Sequence, residues 1–410
     1  MRTYTFPGCY SIFLTSLALE WSVKEARTIA LLGVIIQLYF DANLRHRLLT
    51  STQLHIALCF PLIALASWYF TDYGGEGLKT FDWIICLGIG CAASTSLDRK
   101  AVFILLLLPA VCATASICML LWEYFDAGTL NALFMNGAKL KMYDDSPNRY
   151  GLITALGAAV SMGLLPMVKQ RAKFILLALL AILTILCWYS QSRAAVFSLV
   201  GTVCVAMFFF FKHSRKQGIL ILIVVGAVLA AGAALGGERI VSTITRGSWD
   251  FLLNGREDIW QAAWEVFQKS PLFGFGVDSF RQTLEAHLNL PENAMRFPDI
   301  RAQYVFWNAH QIILGIMVET GLAGLLVFLV LSARTIYGGI KKYPLALAPL
   351  LMFILYWING LGGYGFHRSW NSAFFFLAMG LIDGLTLPAQ KRLPEENSSP
   401  GQNKTTLLEI

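Results

Sequence analysis

Charge is scarce in this sequence. Asp, Glu, Lys and Arg make up 14% of its 410 residues, against roughly a quarter in soluble domains. With 56% of the chain hydrophobic, a folded core cannot absorb the apolar surface, whereas a bilayer can. The net charge of +7 does not point to nucleic acid, because the excess Lys and Arg sit in short clusters between apolar runs. The chain has no Walker loop and no nucleotide fingerprint. The stretches between its apolar runs contain no Asp-x-Asp and no Glu/His cluster of metal-ligand spacing, so neither a nucleotide nor a metal is expected as cofactor. Asp144 and Asp145 are adjacent and read as a turn before Pro147. The eight cysteines (Cys9, Cys59, Cys86, Cys91, Cys112, Cys118, Cys187 and Cys204) all lie in or beside apolar runs. They read as small buried hydrophobes rather than a disulfide framework or metal site. The N-terminal apolar run has no small-residue cleavage site and reads as a first span.

What is present is a series of apolar runs long enough to cross a bilayer as helices. About twelve are expected, near 6–20, 28–41, 54–70, 80–96, 101–122, 150–166, 173–190, 194–211, 217–236, 309–333, 343–360 and 371–388. In lipid each must satisfy its own backbone, which makes the fold class all-α integral membrane. Basic clusters at Arg45/Arg47, Arg99/Lys100, Lys169/Arg171/Lys173, Lys212/Arg215/Lys216, Arg334/Lys341/Lys342 and Lys391/Arg392 occupy every second gap. That parity places those gaps and both termini in the cytoplasm. The expected organisation is nine spans over 1–236, one large outward loop over 237–308, three spans over 309–388, and a polar cytoplasmic tail over 389–410.

The large loop has its own pattern. Asn254 and Glu257 have capping-box spacing, and Ile259, Trp260, Ala263, Trp264 and Phe267 recur on one helical face. Pro271 and Gly274 end the element. Such a helix either lies at the outer membrane surface or packs on its own loop.

Three residues stand out chemically. His310 follows the loop and opens a hydrophobic run, and ionisable groups at membrane depth are usually functional. At about 100° per residue, Gly321 lies about 20° from His310 and Gly324 about 40°. His310 would therefore head a stripe where another helix approaches, with Glu319 on the opposite face. The alternative is a histidine that merely wets the helix end. Arg193, in the outward turn Ser190-Gln191-Ser192-Arg193-Ala194, opposes both the helix dipole and the positive-inside bias. A cation so placed calls for an anion, with helix N–H groups beside it; headgroup snorkelling is the alternative. Arg256 starts the loop helix, again at an anion-binding end, unless it pairs locally with Glu257 or Asp258. Lys139, Lys141, Arg149, His367 and Arg368 are further outward cations for anion or sugar contacts, with the last two beside the Gly-rich stretch Gly362-Gly363-Tyr364-Gly365-Phe366. An outward-facing reaction with neither nucleotide nor metal needs a pre-activated donor, and a sugar on a lipid pyrophosphate is one. Two arginines would neutralise its leaving group and a neutral histidine would deprotonate the attacking hydroxyl.

These residues resemble a known family. His310-Gln311, nine residues, then Gly321-Leu322-Ala323-Gly324 is similar to the His-(Asn/Ser/Gln)-x9-Gly-x2-(Gly/Thr/Tyr) pattern of bacterial O-antigen ligases. Ser192-Arg193-Ala194 resembles the Ser-Arg-(Gly/Ala) element of the wider O-antigen ligase/polymerase superfamily. Gly255-Arg256-Glu257-Asp258-Ile259-Trp260, followed by Pro271-Leu272-Phe273-Gly274-Phe275-Gly276, resembles its large periplasmic loop. Asp145-Ser146-Pro147-Asn148 resembles another element ahead of a span.

The resemblance implies a multi-pass enzyme of the Gram-negative inner membrane with its active site facing the periplasm. It would be a glycosyltransferase that moves O-polysaccharide from undecaprenyl pyrophosphate to a sugar of lipid A–core, with inversion and without a metal. His310 would activate or position the acceptor hydroxyl. Arg193 and Arg256 would grip the donor pyrophosphate, and Gln311, Asn148, Arg149, His367 and Arg368 would make further substrate contacts. The partners would be the two lipid-linked glycans and membrane lipid, with no nucleotide and no nucleic acid. An O-antigen polymerase or a protein O-oligosaccharyltransferase of the same superfamily, or a polytopic transporter with His310 as proton relay, are the other readings.

Overall fold

A computed structural model describes residues 23–71, 76–96, 147–236, 256–294, 296–297, 309–363 and 369–386, with isolated positions between 102 and 126. All regular structure among the described residues is helical. The helices are α1 (Val23–Phe40), α2 (Ala42–Thr50), α3 (Thr52–Ala57), α4 (Cys59–Phe70), α5 (Lys79–Ser96), α6 (Pro147–Leu164), α7 (Gln170–Tyr189), α8 (Arg193–His213), α9 (Arg215–Gly236), α10 (Arg256–Lys269), α11 (Phe280–Leu288), α12 (Pro291–Ala294), α13 (Ile312–Lys341), α14 (Leu347–Gly360) and α15 (Ser369–Thr386).

Among the described residues, six helical stretches are long and apolar enough to cross a membrane: Thr52–Phe70, Tyr150–Met167, Gln170–Tyr189, Arg193–His213, Arg215–Ala234 and Ile312–Lys341. The run expected near 28–41 is instead half of a bent pair, Thr28–Tyr39 and Leu44–Thr50, turned through 111°. Helices also fall at 79–96, 347–360 and 369–386, where the hydrophobic runs were read. The runs at 6–20 and most of 101–122, the capping residue Asn254, the cations Lys139, Lys141, His367 and Arg368, and the tail from 389 lie outside the described residues.

Small residues set the packing. Gly380 on α15 faces the Leu87 carbonyl and Gly90 on α5 faces Leu381 N, so these two helices meet at backbone distance. Gly163 on α6 likewise faces the Ala348 backbone on α14, and Gly360 faces Ile312. Phe60, Trp83 and Phe376 interlock α4, α5 and α15, with centroids 5.2 Å apart for Phe60–Trp83 and 5.5 Å for Trp83–Phe376. Cys86, Cys91 and Cys187 are buried in this bundle, whereas Cys59 is half-buried and Cys204 exposed, against the expectation that all are buried.

The sequence stripe running from His310 to Gly324 is not what the chain forms. His310 precedes α13 in a left-handed conformation, φ 50°, and α13 is interrupted at Gly321, φ 64° and ψ −165°. The break is filled by the Pro271–Gly276 segment. Leu322 N donates to Pro271 O at 2.9 Å and Ala323 N to Leu272 O at 3.1 Å. On the other side Phe275 N donates to Val318 O at 3.0 Å and Gly276 N to Glu319 O at 2.8 Å. The helix thus exchanges its own backbone bonds for bonds to the loop, which removes the cost of unpaired groups. Two glycines permit the approach: a Cβ on Gly321 would strike the Leu272 carbonyl, and one on Gly274 (φ 68°) the backbone of Glu319 and Thr320.

Glu319, 1% exposed, caps α11, accepting from Asp278 N at 2.7 Å and Phe280 N at 3.4 Å. The inserted segment is pinned on its far side by Ser67 Oγ donating to Phe273 O, by Phe70 stacked on Phe273 at 5.5 Å, and by the Lys79–Asp278 ion pair.

Gly321→Ala should therefore destabilise the protein. It adds a backbone collision to a φ/ψ region that is essentially glycine-only, where strain costs about 1–3 kcal/mol. Thermal unfolding in detergent should drop by several degrees or more. Gly226→Ala, whose Cβ would meet nothing within 4 Å, should hold or raise the midpoint. Equal midpoints for the two variants would remove the wedge from the account of the fold.

The loop helix α10 settles the choice between membrane surface and local packing. Ile259, Ala262, Ala263, Val266 and Phe267 are buried with Phe280 and Leu284 of α11 and Leu314 and Val318 of α13. Trp260 is part of this cluster, whereas Trp264 stays 46% exposed. The helix is held by apolar burial against α13, not by lipid alone. Glu265 adds a bond from Arg296 at 2.8 Å and one from His287 at 3.1 Å.

Candidate active site

Helix direction alone sorts the polar residues into two ends. α7 starts beside Lys169, Arg171 and Lys173 and ends at Tyr189, three residues before Ser192. α8 runs from Arg193 back to Lys212 and His213. α13 runs from Gln311, its N-cap, to Lys341, and α14 returns from Leu347 to Gly360. Arg193, His310 and the turn after α14 therefore share one end of the bundle, and the basic clusters share the other.

At the shared end the Ser190–Arg193 turn is built first. Gln191 takes the left-handed conformation, φ 53°. Ser192 is the N-cap of α8, its hydroxyl accepting from Ala195 N at 3.3 Å, which leaves Arg193 as the first helical residue. The Ser192 hydroxyl donates to Asn148 Oδ1 at 2.9 Å. Asn148, read as a substrate contact, thus joins the start of α6 to the start of α8. Arg149 follows it in the first turn of α6; its side chain lies outside the described residues.

The second part is the turn after α14. Gly362 N and Gly363 N both donate to Asn359 O, at 3.2 and 2.7 Å. This closes the helix, and the next two carbonyls accept from distant parts of the chain. Arg256 donates from Nη1 to the Gly362 carbonyl, 106 positions along the chain. His310 donates from Nδ1 to the Gly363 carbonyl at 2.9 Å. Adjacent carbonyls of one turn therefore hold the arginine and the histidine.

A carbonyl can only accept, so the bond to Gly363 fixes the proton on Nδ1 and makes Nε2 the lone-pair nitrogen of the neutral ring. That is the nitrogen a general base requires. His310 is held further by its neighbour Ala309, whose carbonyl accepts from Trp260 Nε1 at 2.9 Å. A left-handed non-glycine residue costs about 1–3 kcal/mol and persists only where its surroundings over-determine it, as they do here.

Arg256 does not settle into a local pair with Glu257 or Asp258. Its guanidinium meets a carbonyl and the field of a second arginine. Burial first, and the charge of Arg193 second, lower its pKa below the ordinary arginine value. Two like charges on half-buried side chains repel each other, and an anion between them would reverse the sign of that interaction. Gln311 has a structural duty: its side-chain oxygen accepts from Leu314 N and caps α13. Among the described residues no group of three His, Cys, Asp or Glu side chains could hold a metal ion.

Residues 177–329 match the family model of O-antigen ligase, Wzy_C. The matched segment, a little over a third of the chain, is similar to that family and supports a relationship to the O-antigen ligase/polymerase superfamily. No curated protein matches the chain. The matched segment contains Arg193, Arg256 and His310 together. It stops short of Asn359, Gly362 and Gly363, which organise two of them. Those three carried no motif. The signal available for them was an isolated amide, Asn359, at the end of an otherwise apolar run and just before a pair of glycines. His367 and Arg368, assigned to the same Gly-rich stretch, lie outside the described residues.

Proposed function

We propose that the protein is an O-antigen ligase: a glycosyltransferase that moves a polysaccharide from undecaprenyl pyrophosphate to a sugar of lipid A–core. Transfer is metal-independent, inverts the anomeric carbon and takes place on the periplasmic side of the inner membrane. The observation that carries this reading is the Gly362–Gly363 turn. Its two carbonyls hold Arg256 and the Nδ1–H tautomer of His310, with Arg193 close enough to act on Arg256. An acceptor hydroxyl approaching Nε2 gives up its proton there as its oxygen bonds to the anomeric carbon. The bond from that carbon to the pyrophosphate oxygen breaks, and the electron pair leaves with the lipid pyrophosphate. Arg193 and Arg256 balance the charge that develops on the leaving group. A single displacement on the face opposite the leaving group inverts the centre.

The outward orientation of this end is supported by the basic clusters at the opposite one. The whole chain then reads as about twelve spans with the 237–308 segment outside.

The test has two arms. Alkaline phosphatase fused after Arg256 should be active and fused after Lys216 inactive; the reverse would put the site in the cytoplasm. Purified protein should transfer glycan from the lipid-linked donor to lipid A–core in EDTA at the rate seen without it. Donor chains lengthening with no acceptor consumed would mark a polymerase, glycan on protein Ser or Thr an oligosaccharyltransferase, and EDTA-sensitive transfer a metal requirement.

A further inference from the structure

Asn359 is 3% exposed and stands at the crossing of three elements. Its side-chain amide donates to Ser198 Oγ at 3.3 Å. Ser198 in turn donates to Ala194 O at 2.5 Å, in the first turn of α8 beside Arg193. Its main-chain carbonyl is the acceptor that closes the Gly362–Gly363 turn. Its side-chain oxygen lies against Gly363, where an added Cβ would come within 2.6 Å of it. One residue thus touches the helix that presents Arg193 and the turn whose carbonyls hold Arg256 and His310. A buried amide in an apolar helix is costly unless it is bonded, and here its bonds run only to parts of the site.

We propose that Asn359 is a positioning residue: its amide ties the Arg193 helix to the Gly362–Gly363 turn and so sets where Arg256 and His310 stand relative to Arg193. This rests on the transfer reading for its kinetic consequence and not for its structural one. The side chain touches neither substrate nor reacting atoms. It fixes the spacing between the leaving-group clamp and the base, and a displacement of about 1 Å in such a constellation costs about 10²-fold.

The experiment is Asn359→Leu, which keeps most of the side-chain volume and deletes the amide, beside Ser198→Ala, which deletes the acceptor from the other side. Both proteins should retain the wild-type melting profile within a few degrees. Both should lower kcat by about 10- to 100-fold while KM for the lipid-linked donor stays within about two-fold, and the double variant should be no worse than the poorer single one. An independent measurement needs no substrate. In histidine-labelled protein in detergent, the ¹⁵N resonances of His310, assigned by their loss in His310→Asn, should show the Nδ1–H tautomer in the wild type. In both variants they should shift toward a tautomer mixture. An unchanged tautomer in both variants overturns the proposal, whatever the activity. An unchanged kcat in Asn359→Leu from a wild type that does transfer glycan overturns it too. A wild type that transfers nothing, with the tautomer shift present, would remove the transferase reading and leave the positioning role standing. If Asn359→Leu fails to fold, Ser198→Ala alone carries both measurements.

Discussion

His310→Ala should insert and melt close to wild type and lose transfer by about 10²–10⁴-fold, the range that positioned general bases contribute. The loss should fall on kcat, since in the proposed mechanism the imidazole meets the acceptor proton rather than the bulk of either glycan. Folding should survive because His310 lies outside α13, whose N-cap is Gln311, and because the apolar contacts beneath it belong to Ala309, Leu314 and Val318. His310→Asn is the sharper variant. Asn tolerates the left-handed φ of this position and can donate to the Gly363 carbonyl, yet it cannot accept a proton at neutral pH. If Asn restores activity, the histidine orients the acceptor hydroxyl and the proton leaves late by another route. If Asn is as dead as Ala, proton transfer to Nε2 is required. Wild-type rates from both variants would exclude His310 from the reaction. Rates are to be measured with purified protein, lipid-linked donor and lipid A–core.

Arg193→Ala and Arg256→Ala should each lower kcat by about 10²–10³-fold, the usual cost of removing one preorganised donor from a developing oxyanion. Arg→Lys at either position should recover only part of that, because an ammonium keeps the charge and loses the planar fork. The two sites should also differ. Arg256 is anchored on the Gly362 carbonyl, so its removal disturbs the turn that holds His310. Arg193 opens α8 and acts on Arg256 through its charge, so its loss should fall first on the pyrophosphate. The double variant should be less impaired than the product of the single losses, because each arginine alone suffers less repulsion than the pair. Isothermal titration of the donor, or of a lipid pyrophosphate without its glycan, gives a second reading: either alanine variant should weaken it. Normal transfer and normal pyrophosphate affinity in Arg193→Ala would make that residue a headgroup anchor and nothing more.

The sequence by itself determined the class of the fold and most helix positions, because period and length in apolar runs are local properties. It also singled out Arg193, Arg256 and His310, each by a local oddity: a cation at a helix N-terminus, another in the same place, a base at the mouth of a span. The packing of α10 was half legible. Its apolar face was plain, but whether lipid or protein covers it depends on where α13 lies.

The tertiary structure decided the rest, for one physical reason. Extrapolating from His310 to Gly321 along an ideal helix assumes unbroken backbone bonding, and α13 is broken by hydrogen bonds to residues some fifty positions earlier. Those partners decided the roles of Gly274, Gly321 and Glu319. The same holds for the site. Gln311 and Asn148, expected to touch substrate, also make an N-cap and an interhelical bond through their side-chain oxygens. The groups that set the arginine and the histidine are two main-chain carbonyls, which any residue could supply, and a buried amide whose only mark in the sequence was its place at the end of an apolar run. Main-chain acceptors leave no mark in a sequence, and only the folding of α14 against α8 and α13 gives them their function.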